Sequence, residues 1–171
     1  MTAGFDQAFA DVFAERSRSL YRYISALSGD PALAEDIVQE SFVRLYRRGR
    51  MPDDPAAWLV SVAHNLWRDD RRRDVRRSRL LSLRRDELPT MGESPATDAT
   101  TLASERVQTV HQALARLPER DRRLLLLRHA GFAYREIALA LDLAPGSVGT
   151  LLVRASESFR TAFYELFGAS A

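Results

Sequence analysis

Residues 29–48 read GDPALAEDIVQESFVRLYRR, and this stretch decides the fold class. Gly29-Asp30-Pro31 is a turn that opens into a helix start, with proline suited to the first helical position. Beyond it Ile37, Val38, Ser41, Phe42, Leu45 and Tyr46 fall on one stripe of a helix from about Ala32 to Arg48, with Asp36, Glu40, Val43 and Arg47 on the opposite side. The apolar stripe is core, whereas the acidic side has no packing role to account for it. Upstream, Phe9, Val12, Phe13, Leu20, Tyr23, Ile24 and Leu27 recur at threes and fours, which predicts a helix from about Phe5 to Ser28. Downstream, GRMPDDP (Gly49 to Pro55) is a loop. A third helix starts near Pro55, turns Trp58, Leu59, Val62, Ala63 and Leu66 inward, and lines Asn65, Asp69 and Arg72 along one flank.

From Arg68 to Arg85 nine arginines stand against only Asp69, Asp70 and Asp74, so a nearly neutral chain (formal net charge +2) carries a strongly basic block. DELPTMGESPATDATT (Asp86 to Thr101) follows, with two prolines, four acidic residues and hardly a large apolar side chain, which is linker composition. The expected organisation is therefore residues 1–85, a linker at 86–101, and residues 102–171. The last part reads as four helices: Leu102 to Leu117, Glu119 to Ala130, Tyr134 to Leu141, and Gly146 to about Phe167. Leu124 to Leu127 is core. Only Asp142-Leu143-Ala144-Pro145 separates the final two helices, and Ile137, Ala138 and Leu141 facing Val148, Leu152 and Ala155 match a helix-turn-helix. No segment alternates at the period of a strand. The fold class is all-α, two small helical domains on a flexible linker.

Composition narrows the function classes. The 171 residues include no cysteine, which excludes disulfide-stapled domains and thiolate zinc sites. No 18-residue apolar stretch and no basic-then-apolar N-terminus occurs, so neither a membrane span nor a signal sequence is expected. All 25 basic residues are arginine, for which coding bias is a cheaper explanation than guanidinium chemistry. His64, His111 and His129 are too scattered for a metal site and are expected on helix surfaces or edges. No phosphate-cradling glycine loop and no catalytic constellation is present, so no cofactor, metal or enzymatic role is expected.

GDPALAEDIVQESFVRLYRR, followed by PAAWLVSVAHNLWRDDRRR (Pro55 to Arg73), resembles region 2 of the extracytoplasmic-function (ECF) class of bacterial sigma-70 factors. LARLPERDRRLLLLRHAGFAYREIALALDLAPGSVGTLLVRA (Leu114 to Ala155) is similar to their region 4. The two segments occur in the family's order, with a linker and no sigma region 3 between them. The resemblance implies a cytoplasmic promoter-specificity subunit whose partners are core RNA polymerase, promoter DNA and an anti-sigma factor, with no membrane insertion.

By that resemblance Asp36, Gln39, Glu40 and Val43 dock on the polymerase, where carboxylates can accept charge-assisted bonds from a partner's arginines. Asn65 reads a base of the single-stranded minus-10 element, and Arg68, Arg71, Arg72 and Arg73 neutralise its phosphates. Asp69 orients a neighbouring side chain. The Arg76 to Arg85 run is either a further cationic path or a solvated tail. Ser147, Gly149, Thr150, Leu151 and Arg154 face the major groove of the minus-35 element, with Thr150 and Leu151 able to touch thymine methyls.

Departures from the family pattern are as informative. Before Asn65 stands His64 rather than the usual arginine, and Trp67 takes a usually smaller position, read as packing against the first helix in preference to stacking on a base. In the recognition helix Gly149, Leu151, Ser156, Glu157 and Ser158 replace commonly basic residues, so region 4 is expected to contribute less affinity than is usual for the class. Phe159, Phe163, Tyr164 and Phe167 extend that helix or cap the domain. The competing readings are a dimeric helix-turn-helix regulator, which has no use for the acidic second helix, and a sigma-like protein that titrates polymerase without initiating transcription.

Overall fold

In a computed structural model, residues 3–84 and 101–168 are described, and every regular element among them is helical. Three helices form an N-terminal lobe: α1 (Ala3–Ser28), α2 (Pro31–Arg48) and α3 (Pro55–Arg84). Four form a C-terminal lobe: α4 (Thr101–Arg116), α5 (Glu119–Ala130), α6 (Tyr134–Leu141) and α7 (Val148–Gly168), with a single 3-10 turn at Pro145–Ser147 ahead of α7. The sequence anticipated α5 and α6 residue for residue. The expected linker lies almost wholly outside the described residues.

Local chemistry sets the boundaries. Asp30 caps α2, its carboxylate accepting the backbone N–H groups of Ala32 (2.9 Å) and Leu33 (3.1 Å), while Pro31 supplies the first helical residue. Gly49 ends the helix in the left-handed conformation at φ 69°, where a side chain is strained, and its N–H bonds back to the Tyr46 carbonyl. Asp54 caps α3 through the Ala57 N–H at 2.8 Å. Asp30→Ala removes both cap bonds and is expected to lower stability by about 1 kcal/mol, read as a lower urea midpoint with an unchanged slope; an unchanged midpoint would refute the cap.

Core packing follows the apolar stripes. Leu20, Tyr23 and Ile24 of α1, Phe42 and Leu45 of α2, and Leu59 and Val60 of α3 are buried together. Ser41 within this stripe donates its hydroxyl to the Ile37 carbonyl at 2.7 Å, so its burial leaves no unmet polar group. Leu124, Leu126 and Leu127 are buried as expected, with Leu125 partly so. This cluster is continuous with the first: α1 packs on α5 as well as on α2 and α3, and α3 packs on α6. A smaller cluster of Ala113, Leu117 and Ala162 sits under α4 and α7 with Phe159 and Phe163 against it, whereas Tyr164 and Phe167 stay exposed.

The placement of the lobes corrects one expectation. His64 lies not on a helix surface but 3% exposed, in the seam between the lobes. His111 is half-buried and His129 exposed. Trp67 is buried as expected of a packing residue, with the guanidinium of Arg71 on its own helix 5.2 Å from its ring centre and that of Arg122 of the C-terminal lobe at 5.8 Å.

Candidate polymerase and nucleic-acid interfaces

The acidic side of α2 is open. Asp36 and Gln39 are exposed and Glu40 and Val43 half-buried, and at 100° per residue the four share one face. Glu40 pairs with Arg44 one turn on at 2.8 Å, with both side chains more than two-fifths exposed, so the pair contributes little stability. Beside this face runs an apolar groove of about 730 Å³ between α1 and α2, floored by Phe9, Phe13, Phe42 and Tyr46 and edged by Gln39 and Val43.

On α3, Asn65, Arg68, Arg72 and Arg73 are exposed. Asn65, Arg68, Asp69, Arg72 and Arg76 recur at threes and fours on one stripe with Arg73 at its margin, so the structure brings the amide and the guanidinium groups together. Asp69 reaches Arg72 at 3.6 Å, with both side chains exposed. Arg71 is not brought to that stripe, because it folds over Trp67 on the side of the helix that faces α5. With Arg68, Arg71, Arg72 and Arg76 on α3 and Arg122 across from them, a cationic cleft of about 400 Å³ opens along the seam, and Glu119 is its one acidic lining residue.

The helix-turn-helix geometry comes from backbone rules. Asp142 ends α6 in the left-handed conformation at φ 53°, and the Leu143 N–H returns to the Ala138 carbonyl at 2.8 Å. Together these turn the chain so that α6 and the following helix cross at 114°. A 3-10 turn precedes α7, and in it the Ser147 hydroxyl is committed to the Ala144 carbonyl at 2.7 Å. Thr150 and Arg154 are exposed, but Gly149 and Leu151 are half-buried, Leu151 against the core. Val153, which sequence reasoning did not single out, is 59% exposed on the same helix. Periodicity carried the signal: Val153 falls off the stripe of Val148, Leu152 and Ala155.

The seam itself holds a directional hydrogen-bond chain. Arg123 on α5 donates Nε–H to the Tyr23 hydroxyl at 3.1 Å, and Tyr23 Oη stands 3.4 Å from His64 Nδ1. His64 Nε2 lies 2.9 Å from Glu119 Oε1. Burial first, then the Arg123 charge, pushes the His64 pKa down to about 4 against the opposing pull of Glu119. The ring is thus neutral at pH 7, and its partners assign the tautomer: Nε2–H donates to Glu119 and Nδ1 accepts from Tyr23. Burial raises the Tyr23 pKa, so its proton stays in place. Burial is the largest single effect on Glu119 and raises its pKa, but the hydrogen bond to His64 together with the His64, Arg68 and Arg123 charges outweighs it, so the carboxyl is held below its usual value.

Further links cross the seam. Arg22 donates to the Ala130 carbonyl at 3.0 Å, and Arg16 pairs with Glu136 at 2.8 Å. Glu136 also accepts the Ala133 N–H at 2.8 Å, so one carboxylate starts α6 and ties it to α1.

Two family descriptions match this chain, Sigma-70 region 2 over residues 12–77 and Sigma-70 region 4 over residues 108–158. The ECF RNA polymerase sigma factor SigL of Mycobacterium tuberculosis is 31% identical over 160 residues, covering 91% of this chain and 88% of that protein. RNA polymerase sigma factor CarQ of Myxococcus xanthus is 26% identical over 168 residues, covering 95% and 93%. Among solved structures, the sigma factor RpoE in complex with the anti-sigma factor NepR from Bartonella quintana has the same fold, with a TM-score of 0.59 at 21% identity over 96% of this chain and 99% of that one.

Proposed function

This chain belongs to the ECF class of sigma-70 factors, transcription regulators that bind RNA polymerase and direct it to promoters to initiate transcription, and we propose from that premise how its surfaces share the work. Asp36, Gln39, Glu40 and Val43 of α2 dock on core polymerase. Asn65 reads the opened minus-10 strand while Arg68, Arg72 and Arg73 hold its backbone. Thr150 and Arg154, at the start of the recognition helix, meet the minus-35 duplex. No covalent step is involved, and the protein works in the cytoplasm, where polymerase and promoter are; no single helix among the described residues is long and apolar enough to cross a membrane. The sigma factor in the RpoE structure is bound to an anti-sigma factor, and an anti-sigma factor covering the exposed α2 and α3 faces is the corresponding partner here.

The observation that carries this division is the exposure of Asn65 beside Arg68, Arg72 and Arg73 on one helix, a base-reading amide flanked by phosphate-neutralising groups. The minus-35 contribution is the weaker one, because Glu157 and Arg160 line a cleft where only Arg128 and His129 add further basic groups, and Gly149 and Leu151 offer no charge. Transcription by purified core polymerase on a pool of genomic promoters tests the reading: start sites should appear only with the protein added and share a strong minus-10 motif with a weak minus-35 motif. Core binding without any transcript would instead support the titrating role.

The docking face makes its own prediction. Asp36→Arg with Glu40→Arg should weaken core binding about ten- to a hundredfold by reversing charge at the contact, with the thermal midpoint unchanged because neither side chain is buried. Equal affinity of the double variant in a fluorescence titration with core polymerase would remove α2 from the interface.

A further inference from the structure

A cationic cleft whose charges are largely unmatched lies along the seam. Arg68, Arg71, Arg72 and Arg76 of α3 and Arg122 of α5 line about 400 Å³ of space beside Trp67, with Glu119 as the single carboxylate. Glu119 is already engaged by the His64 Nε2–H at 2.9 Å. Like charges one helical turn apart at positions 68, 72 and 76 disfavour a helix by themselves. Asp69 offsets them only in part, since it stands 3.6 Å from Arg72 with both side chains more than half exposed. Among the described residues, Arg71, Arg76 and Arg122 form no ion pair.

The hydrogen bonding of Arg122 points the same way independently. Its Nε is buried without a hydrogen-bond partner, and its guanidinium shares the Trp67 ring with that of Arg71, at 5.8 and 5.2 Å from the ring centre. Buried donors in proteins are almost always satisfied, because an unmet one carries its full desolvation cost. An orphan donor beside a second guanidinium in a cleft suits an acceptor of high negative charge. The volume of the cleft falls within the range of small-molecule sites. Guanidinium forks match phosphate oxygens two at a time, and arginines presented from two helices suit a ligand with two phosphate groups.

We propose that the cleft is a binding site for a compact diphosphate anion, free or carried by a nucleotide, held by Arg71 and Arg76 of α3 and Arg122 of α5. One phosphate lies between Arg71 and Arg122, where a turn of the Arg122 side chain presents its Nε–H and Nη–H edge to two oxygens. The other lies toward Arg72 and Arg76 further along α3. The site is independent of the promoter-reading assignment, which uses neither Arg76 nor Arg122. Because the anion grips two helices that meet only in the folded chain, it binds the folded state alone and raises its stability.

The full-length protein tests the site without DNA or polymerase. In calorimetric titrations at pH 7 and constant ionic strength, pyrophosphate should bind at least about tenfold more tightly than orthophosphate or sulfate, and it should raise the thermal midpoint where sulfate does not. Arg71→Gln with Arg122→Gln should weaken pyrophosphate binding about tenfold or more, while Arg135→Gln, exposed on α6, leaves it unchanged. Arg122→Lys keeps the charge but not the planar fork and should cost about three- to fivefold in affinity; it carries the test if the double variant does not fold. Nucleoside diphosphates separate the two sources: tighter binding than pyrophosphate assigns the site to a nucleotide, and weaker or equal binding assigns it to the free anion. Equal affinity for pyrophosphate and sulfate, or affinity unchanged by the substitutions at Arg71 and Arg122, would overturn the site.

Discussion

Replacing Arg68, Arg72 and Arg73 together by alanine is expected to flatten the salt dependence of promoter binding. All three are exposed on α3; Asp69 stands 3.6 Å from Arg72, and Glu119 shares the seam cleft with Arg68 and Arg72. Each phosphate contact to a single strand contributes about 0.7 to the slope of log affinity against log salt, so three contribute about 2. Between 50 and 200 mM salt the wild type should then lose roughly twentyfold more affinity than the variant. Contacts made by the polymerase are common to both proteins, so holoenzyme on a pre-melted promoter gives the difference directly. Arg71→Ala supplies the contrast: because Arg71 covers Trp67, it should leave the slope nearly unchanged and weaken the seam. Equal slopes for the triple variant and the wild type would take the arginines off the DNA path.

Acid should destabilise the closed protein through His64 well before the carboxylates titrate. The folded-state pKa is lowered to about 4 from an unfolded value of 6.5, so between these values the unfolded chain binds the extra proton. The stabilisation is complete above pH 6.5 and falls as pH drops toward 4, by about 2 kcal/mol at pH 5. Tyr23, Arg68, Glu119, Arg122 and Arg123 are the charged or titratable groups that set this balance around the ring. Glu119, with its lowered pKa, adds a loss of the same sign further down. Tyr23, with its raised pKa, adds a loss above pH 10. Urea unfolding at pH 7 and pH 5 measures the effect, and His64→Gln, which keeps hydrogen-bonding capacity without the titration, should abolish most of it. Parallel curves for the variant and the wild type across that interval would show that His64 is not the acid-sensitive group.

Legibility in the sequence followed the range of the interaction. The caps at Asp30 and Asp54, the turn at Asp142 and the bounds of α5 and α6 rest on neighbours within a few residues, and each could be read from spacing or composition. The basic run after Arg73 was open between a cationic path and a solvated tail; the backbone is helical through Arg84 and carries Arg76 into the seam cleft. The resemblance implies that Leu151 faces DNA; it is half-buried against the core, while Val153 is 59% exposed on the same helix. Helical periodicity specifies a stripe, but the width of the buried arc depends on what packs against it.

The sequence by itself determined an all-α chain, the acidic face of α2, the Asn65 and arginine stripe of α3 and the helix-turn-helix, because periodicity, capping and charge patterning are local properties of the chain. It also singled out His64 and Trp67 as departures from the family pattern, with packing against the first helix as the reading of Trp67 and no reason for His64. Only the tertiary structure decided that reason: α5, more than 50 residues away in the chain, covers both, making one a neutral hydrogen-bond donor to Glu119 and the other a buried platform for Arg71 and Arg122. Burial between lobes depends on surfaces meeting across a long sequence separation, and no local pattern records which surfaces meet.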